Sequence, residues 1–402
     1  MGEIMADQLQ PAKVFPPETS KDPSAFVTTD ECYEAYNELR NCPVQHADAM
    51  GGFYWVTRYG DVASAVRDGK TFSSAVKGVL LPADPDAPRI FALEQEAPEH
   101  MAAKRLYMEA FSPKRLVALE PRLVTIANDL IDKFAAKGEC DLIADFAHPF
   151  PVLGVCSAIG VKHVSIERIK TVSSEFGKSP ERRQEVIMEL GGLVLEELIR
   201  RRAAPSDDYL SKIANAELNG RKLNDDELAR FMVGFFTAGH ETTTSTLGSL
   251  LFHSLQRPDL IKRMLEDQAF LAAAIEEATR LNPPFHAFHR TTTTETEIGG
   301  MTVPQDATVR LCYASANRDP EVYERPDEFD PDREAKPHFG FGGGRHFCAG
   351  APLARFEMAI AFRVLLLRLP DIRLSSDNME YLYKDGVFAT PVSLEAKFTP
   401  SH

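Results

Sequence analysis

Apolar residues recur at three- and four-residue intervals over most of the chain, the period of helices that each bury one face. Gly60-Asp61 opens such a helix, with Val62, Ala65 and Val66 on its inner side and Gly69 at its close. Glu99 to Phe111 repeats the pattern, and Ser112-Pro113 offers an N-cap and a first-turn proline to the next helix. Further helices are predicted near 150–160, 164–178 and 181–202, and Asn219-Gly220 marks a turn between short strands. The acidic run Asn224-Asp225-Asp226-Glu227 favours a helix start and predicts one long helix to about Gln256. Two more helices precede Pro283-Pro284. Phe53-Tyr54-Trp55-Val56 reads as a short strand, and Ile298 to Tyr313 as strands with Gly299-Gly300 at a turn. Val76 to Pro98, with four prolines, predicts a long loop in which Ile90, Phe91 and Leu93 are apolar enough to face a ligand. No repeat and no clean linker interrupts this order. The expectation is a single domain over 1–402, mainly α with small β-sheets, behind an irregular leader at 1–25.

Composition narrows the class. The hydrophobic fraction is 44%, ordinary for a globular protein with a sizeable core. No apolar run reaches the ~18–20 residues expected of a membrane span, and Met1 to Ser20 has neither anchor nor signal pattern. A cytoplasmic protein without a membrane anchor is expected. The formal net charge of −14 argues against nucleic acid. Cys32, Cys42, Cys140, Cys156 and Cys312 follow no paired spacing and read as reduced thiols.

The sixth cysteine is different. Phe341-Gly342-Gly343-Gly344-Arg345-His346-Phe347-Cys348-Ala349-Gly350 puts a thiol at the end of a glycine loop, just before a helix. The helix N-terminus, Arg345 and His346 all favour the thiolate, which suits a metal and above all a haem iron. A phosphate cradle would need the Lys-Ser/Thr that is absent here. A nucleophile would need a base, and His346 at two residues' distance fixes none. Taken by itself, the cysteine could equally be a buried structural one.

The long helix carries a flaw. Phe235 to Thr246 holds Gly239 and a run of hydroxyl residues, poor helix formers in mid-helix, with glycine costing roughly 1 kcal/mol against alanine. Thr242 can bond the carbonyl of Ala238 and loosen the ladder, opening a groove for a diatomic molecule or a water. Glu241 beside it, taken by itself, reads as a solvated residue on the outer face, since glutamate is seldom fully buried unless paired. His240 suggests no chemistry.

The pattern Phe-Gly-x-Gly-x-His-x-Cys-x-Gly resembles the haem-ligand signature of the cytochrome P-450 family, the haem-thiolate monooxygenases of soluble bacterial type. Ala-Gly-x-Glu-Thr-Thr resembles that family's oxygen-activation motif. The resemblance implies the family's helical prism, with haem b (iron protoporphyrin IX) between the long central helix and the cysteine loop. Cys348 would be the metal ligand, Glu241 and Thr242 the catalytic proton relay, and Phe341 would pack on the sulfur side. His100, Lys104, Arg290 and His346 match positions that hold the haem carboxylates, although lysine at 104 offers a point charge where arginine is usual. Glu277-x-x-Arg280 and Arg333 match a structural triad. The substrate pocket would be lined by Ile90, Phe91, Leu93, Gly234, Thr237, Ala238, His286, Ala287, Val387 and Phe388, with Gly234 leaving room over the haem. The motifs run in family order from His100 to Gly350.

The implied activity is insertion of one oxygen atom from dioxygen into a hydrophobic small molecule. Electrons would come from a ferredoxin and ferredoxin reductase, since the chain has no flavin or iron–sulfur motif of its own, and Arg345, Arg355, Lys104, Arg105, Lys114 and Arg115 would form a basic docking patch. A monomer is expected. A peroxide-driven peroxygenase and a non-catalytic haem or ligand-binding protein are the alternatives, and neither needs the Glu241-Thr242 relay.

Overall fold

The computed structural model describes residues 26–401 apart from 28, 43, 49–50, 81–88, 162–164, 166, 170, 173–174, 176–181 and 385–386. The expected leader at 1–25 and most of the helix expected at 164–178 lie outside the described residues. Helices dominate, and the strands form small separate sheets of two, three or five strands.

Amphipathic spacing forms the helices as expected. Tyr59–Arg67 buries Val62, Ala63, Ala65 and Val66, and Glu99–Ala110 buries His100, Ala103, Tyr107 and Ala110. Pro113–Ile131 begins at its first-turn proline, but the Ser112 side chain makes no capping bond, so the fixed φ of proline alone sets that start. Asp225–Gly239 has a full capping box. The Glu227 amide donates to Asn224 Oδ1 at 2.9 Å, and the Asn224 amide donates to Glu227 Oε2 at 2.9 Å.

The single long helix does not run to Gln256 unbroken. It splits into Asp225–Gly239 and Glu241–Leu255, with His240 between them at φ −95° and ψ −78°. The cause is local: the Thr242 hydroxyl donates to the Ala238 carbonyl at 2.5 Å, and Gly239 weakens the same turn. The second half is buried on nearly all sides.

One stretch corrects the composition reading. Leu142–Ile159 is long and apolar enough to cross a membrane, yet 61% of it is buried inside the protein. It comprises a π-helical turn at Leu142–Ala147, which sequence patterning does not predict, and the helix Pro149–Ile159.

The main sheet has five strands in the order Val44–Ala47, Phe53–Val56, Thr308–Cys312, Ala287–Thr292 and Phe72–Ser73. Only the pairing of Phe53–Val56 with Thr308–Cys312 is parallel. Arg290 sits in the middle of its strand, opposite Val309, and not at the strand's start. The turn at Asn219-Gly220 joins Glu217–Leu218 to Arg221–Lys222, as the sequence suggests. Ala351–Arg368 packs against Pro113–Ile131, and Glu241–Leu255 against Gln268–Leu281, which closes the core beneath the cysteine loop.

Candidate active site

A cavity of about 290 Å3 lies between the broken helix and the cysteine loop. Ile90, Phe91, Leu93, Gly234, Thr237, Ala238, Val387 and Phe388 line it, together with Glu241, Thr242, His100, Lys104, Arg290, Phe341, His346 and Cys348. His286 and Ala287 do not. The Phe285↔Phe388 bridge turns the aromatic ring at 285 inward, so His286 faces the opposite side, where its Nδ1 lies 2.8 Å from the Tyr36 hydroxyl. Phe285 and Phe288, stacked at 4.4 Å, occupy the wall instead. A run of aromatics on either side of His286 was the available signal for them. Gly234, in the lining, has a second task. A Cβ there would lie 2.5 Å from the Tyr107 hydroxyl, so the glycine makes room for Tyr107.

The glycine loop is shaped by its protein neighbours. At Gly344, φ is +60°, and a Cβ would meet the Val66 carbonyl at 2.0 Å. The loop therefore lies against the Tyr59–Arg67 helix on its outer side. The Cys348 amide donates to the Phe341 carbonyl at 2.9 Å, which closes the loop. Cys348 opens to the cavity, while surrounding protein keeps bulk water away. That desolvation raises its thiol pKa, against the backbone amides of Gly350 and Ala351 and the charges of Lys104 and Arg355. Arg345 and His346, the expected thiolate partners, turn away. Arg345 Nη1 lies 3.4 Å from Glu96 Oε2, and His346 faces Glu96, Ser74 and the Ala92 carbonyl. The Phe341 ring lies under the Arg355 guanidinium, 4.3 Å from its centroid.

Glu277, Arg280 and Arg333 meet away from the cavity. Arg280 Nε donates to Glu277 Oε2 at 2.7 Å, and Arg333 Nε donates to Glu277 Oε1 at 3.0 Å. Arg280 also donates to the carbonyls of Asn317 and Pro326, which ties the helix Gln268–Leu281 to the irregular segment that follows.

Comparison with known proteins then decides the family. The family described as Cytochrome P-450 matches residues 176–379. Erythromycin C-12 hydroxylase of Saccharopolyspora erythraea is 34% identical over 340 residues, covering 81% of this chain and 84% of that protein. Mycinamicin IV hydroxylase/epoxidase of Micromonospora griseorubida is 33% identical, covering 92% and 97%. The structure of a mutant of the P-450 EryK in complex with erythromycin B superposes with a TM-score of 0.83 at 31% identity, covering 92% and 97%. The chain belongs to the cytochrome P-450 family. It is a P-450 monooxygenase, and the family implies a haem cofactor, dioxygen and a redox partner.

The residues present fit a haem. His100 is 2% exposed, and neither of its ring nitrogens has a hydrogen-bond partner. Burial, followed by the charges of His346 and Lys104, pushes its pKa down to about 4. Arg290 is buried in the same cavity lining and forms no ion pair with a described residue; it donates to the His289 carbonyl at 2.7 Å and bonds the Tyr313 hydroxyl, neither of which carries a balancing charge. An unpaired buried cation and an orphaned imidazole are the groups that the carboxylates of a haem would satisfy. Lys104 fits less directly, since its Nζ donates to the Arg345 carbonyl at 2.6 Å.

Proposed function

We propose that this cytochrome P-450 oxidises a hydrophobic natural product, by hydroxylation or a related oxygen insertion, with haem b held by Cys348 and electrons from a ferredoxin and its reductase. One observation carries the reading: Cys348 and the broken turn at Gly239–Thr242 face the same, largely apolar cavity. Bound haem supplies the activation of dioxygen, and the strong donor it needs is the thiolate of Cys348. His100 and Arg290 hold its carboxylates, with His346 and Lys104 at the margin. Phe341 covers the loop on the side of the sulfur.

The apolar side chains of Ile90, Phe91, Leu93, Val387 and Phe388 bind substrate and exclude water. Phe285 and Phe288 extend that wall. Thr242 keeps the helix open by holding the Ala238 carbonyl, and its oxygen orients a water in the groove. Glu241, 7% exposed, passes protons from solvent to that water. Glu277, Arg280 and Arg333 brace the cysteine side and touch no substrate. Relatives that act on erythromycin and mycinamicin favour a large natural product as the substrate class.

Arg105 lies exposed on Glu99–Ala110 beside the exposed Met101 and Met108, Lys114 lies exposed at the start of Pro113–Ile131, and this surface receives an acidic ferredoxin. Arg355 drops out of the expected patch, because Glu276 neutralises it with two bonds at 2.6 and 2.7 Å. The protein acts as a single cytoplasmic domain and as a monomer.

Thr242→Ala tests the relay. It should bind haem and substrate normally yet lose product per electron to peroxide, whereas Glu241→Gln should slow the whole cycle. Unchanged coupling in Thr242→Ala would remove the relay from this account. Full turnover driven by peroxide with no need for reductant would favour a peroxygenase.

A further inference from the structure

The loop that brings Leu80, Ile90, Phe91 and Leu93 to the cavity is held from behind by one carboxylate, that of Glu94. Glu94 is 8% exposed, and no described residue forms an ion pair with it. Its carboxylate is bound by main-chain amides instead. The Val79 amide donates to Oε1 at 3.0 Å, and the Ile90 amide donates to Oε2 at 3.1 Å. The Glu94 amide in turn donates to the Ile90 carbonyl at 2.9 Å, so these two residues hold each other reciprocally. One side chain thereby pins both ends of the segment between positions 79 and 90.

This clasp is anchored at both ends. The Val79 carbonyl accepts from the His289 amide at 3.1 Å, and the His289 ring Nδ1 lies 3.1 Å from the same oxygen. His289 belongs to the strand Ala287–Thr292, so a single residue connects the carboxylate to the main sheet. Gly78 is at φ +79°, and a Cβ there would stand 2.5 Å from Glu94 Oε1, so this glycine is what admits the carboxylate. Beyond Ile90, the Phe91 ring packs on Phe231 at 5.8 Å, with the Arg230 guanidinium 5.5 Å above it. The Ala92 amide donates to Gln95 Oε1 at 2.9 Å, which fixes the turn between Phe91 and Leu93. Bonds from amides to a carboxylate are roughly twice as strong as neutral ones, and burying a carboxylate without a cation is otherwise costly. A glutamine here would keep an acceptor for one amide and turn an N–H2 group on the other. Only the carboxylate satisfies both.

We propose that Glu94 is a positioning residue for substrate selection: by joining Val79 to Ile90 it fixes where Ile90, Phe91 and Leu93 stand, and so which molecules the cavity accepts. This rests on the reading of that wall as substrate-binding given above. Glu94 itself lies behind the lining and touches no substrate. It acts through population, because the affinity of a ligand falls in proportion to the fraction of molecules whose loop is in the binding-competent arrangement. A ligand that does not reach the wall is indifferent to the clasp.

The test uses the haem-loaded enzyme and two probes read by the shift of the haem absorption band. Imidazole needs only the iron, whereas clotrimazole must also pack its three aryl rings against the cavity wall. Glu94→Gln should weaken clotrimazole about tenfold, the loss expected if the competent loop falls to about one-tenth of the population, and leave imidazole within about twofold. Amide exchange at Val79 and Ile90 should speed up about tenfold in the same variant. Equal weakening of both probes overturns the proposal, since it shows a general loosening of the site. Unchanged exchange overturns it as well. So does faster exchange with clotrimazole binding unaltered, where Phe91→Ala does weaken clotrimazole. If Phe91→Ala also leaves clotrimazole unaffected, the reading of the wall is refuted, and faster exchange in Glu94→Gln still supports the clasp. If Glu94→Gln does not load haem, Glu94→Asp, which keeps the charge but is too short to span both amides, takes the same measurements.

Discussion

Replacing Glu277 by glutamine should cost this protein far more than the loss of an ordinary ion pair. The carboxylate accepts four bonds: from Arg280 Nε at 2.7 Å, Arg280 Nη2 at 2.8 Å, Arg333 Nε at 3.0 Å and the Asp330 amide at 3.1 Å. Exposed pairs contribute about 0–1 kcal/mol, because water screens them. Here Arg280 is 2% exposed, and its other nitrogens are fixed to the carbonyls of Asn317 and Pro326, so it cannot swing out to solvent. Glutamine leaves two guanidinium groups facing an amide, one of them buried without a counterion. Breaking such a buried pair costs roughly 3–5 kcal/mol. Urea denaturation at neutral pH reads the loss, and amide exchange at Asp330 should speed up in parallel. Acid supplies a second check. Burial pushes the Glu277 carboxyl up, but Arg280 and its other donors bring it net below the usual value. The folded state then holds this proton less tightly than the unfolded chain. Its stability contribution is complete above the unfolded carboxyl pKa of about 4.3 and disappears as pH falls through the lower folded value. Glu277→Gln should therefore flatten the acid limb of the stability curve. A loss under about 1 kcal/mol, or an acid limb of unchanged slope, would refute the buried-pair reasoning.

Two further outcomes follow from buried groups. His286 has its pKa lowered by burial to about 3, and His253 likewise to about 4, against about 6.5 in the unfolded chain, so stability present above that value should fall as pH drops toward 4. His286→Gln should reduce that slope in a pH series of urea midpoints, and an unchanged slope would exclude His286 as a source. Gly234→Ala should destabilise by about 1–3 kcal/mol, because the added Cβ meets the Tyr107 hydroxyl at 2.5 Å. Tyr107→Phe should restore most of the loss in a double-mutant cycle of thermal midpoints, and no rescue would show that the strain lies elsewhere.

The parts of the fold and site that were legible in the sequence are those fixed by short-range spacing. The cysteine loop, the hydroxyl run after Gly239 and the i, i+3 pair Glu277–Arg280 all lie within one or two turns of chain, where geometry follows from residue number. Even Arg333 could be matched through its motif, and it lies 3.0 Å from Glu277. What failed depended on direction. Arg345 and His346 are next to Cys348 in sequence, but the backbone of the loop sends both side chains toward Glu96, while Lys104 and Arg355 arrive from other helices. His286 misses the pocket by one position, and in an extended segment one position reverses the face. Gly234 suggested space for a ligand because its neighbour Tyr107 is 127 positions away in the chain and could not be seen.

Glu357 shows the same limit in its strongest form, because a missing partner leaves no mark on the sequence. The Glu277 carboxylate and the carboxyl of Glu357, on the helix Ala351–Arg368, are both nearly inaccessible to water. Their environments separate them. Around Glu277 every buried charge is matched, so the carboxylate stays ionised and the elements it joins are rigid. Around Glu357 nothing is matched, and the acid stays neutral. His100, across the cavity, is also left with its polar atoms unsatisfied. Satisfied polar groups are thus concentrated where the protein must not move. The unsatisfied atoms of His100 and Glu357 both face the cavity, where a cofactor, a water or a proton must be received.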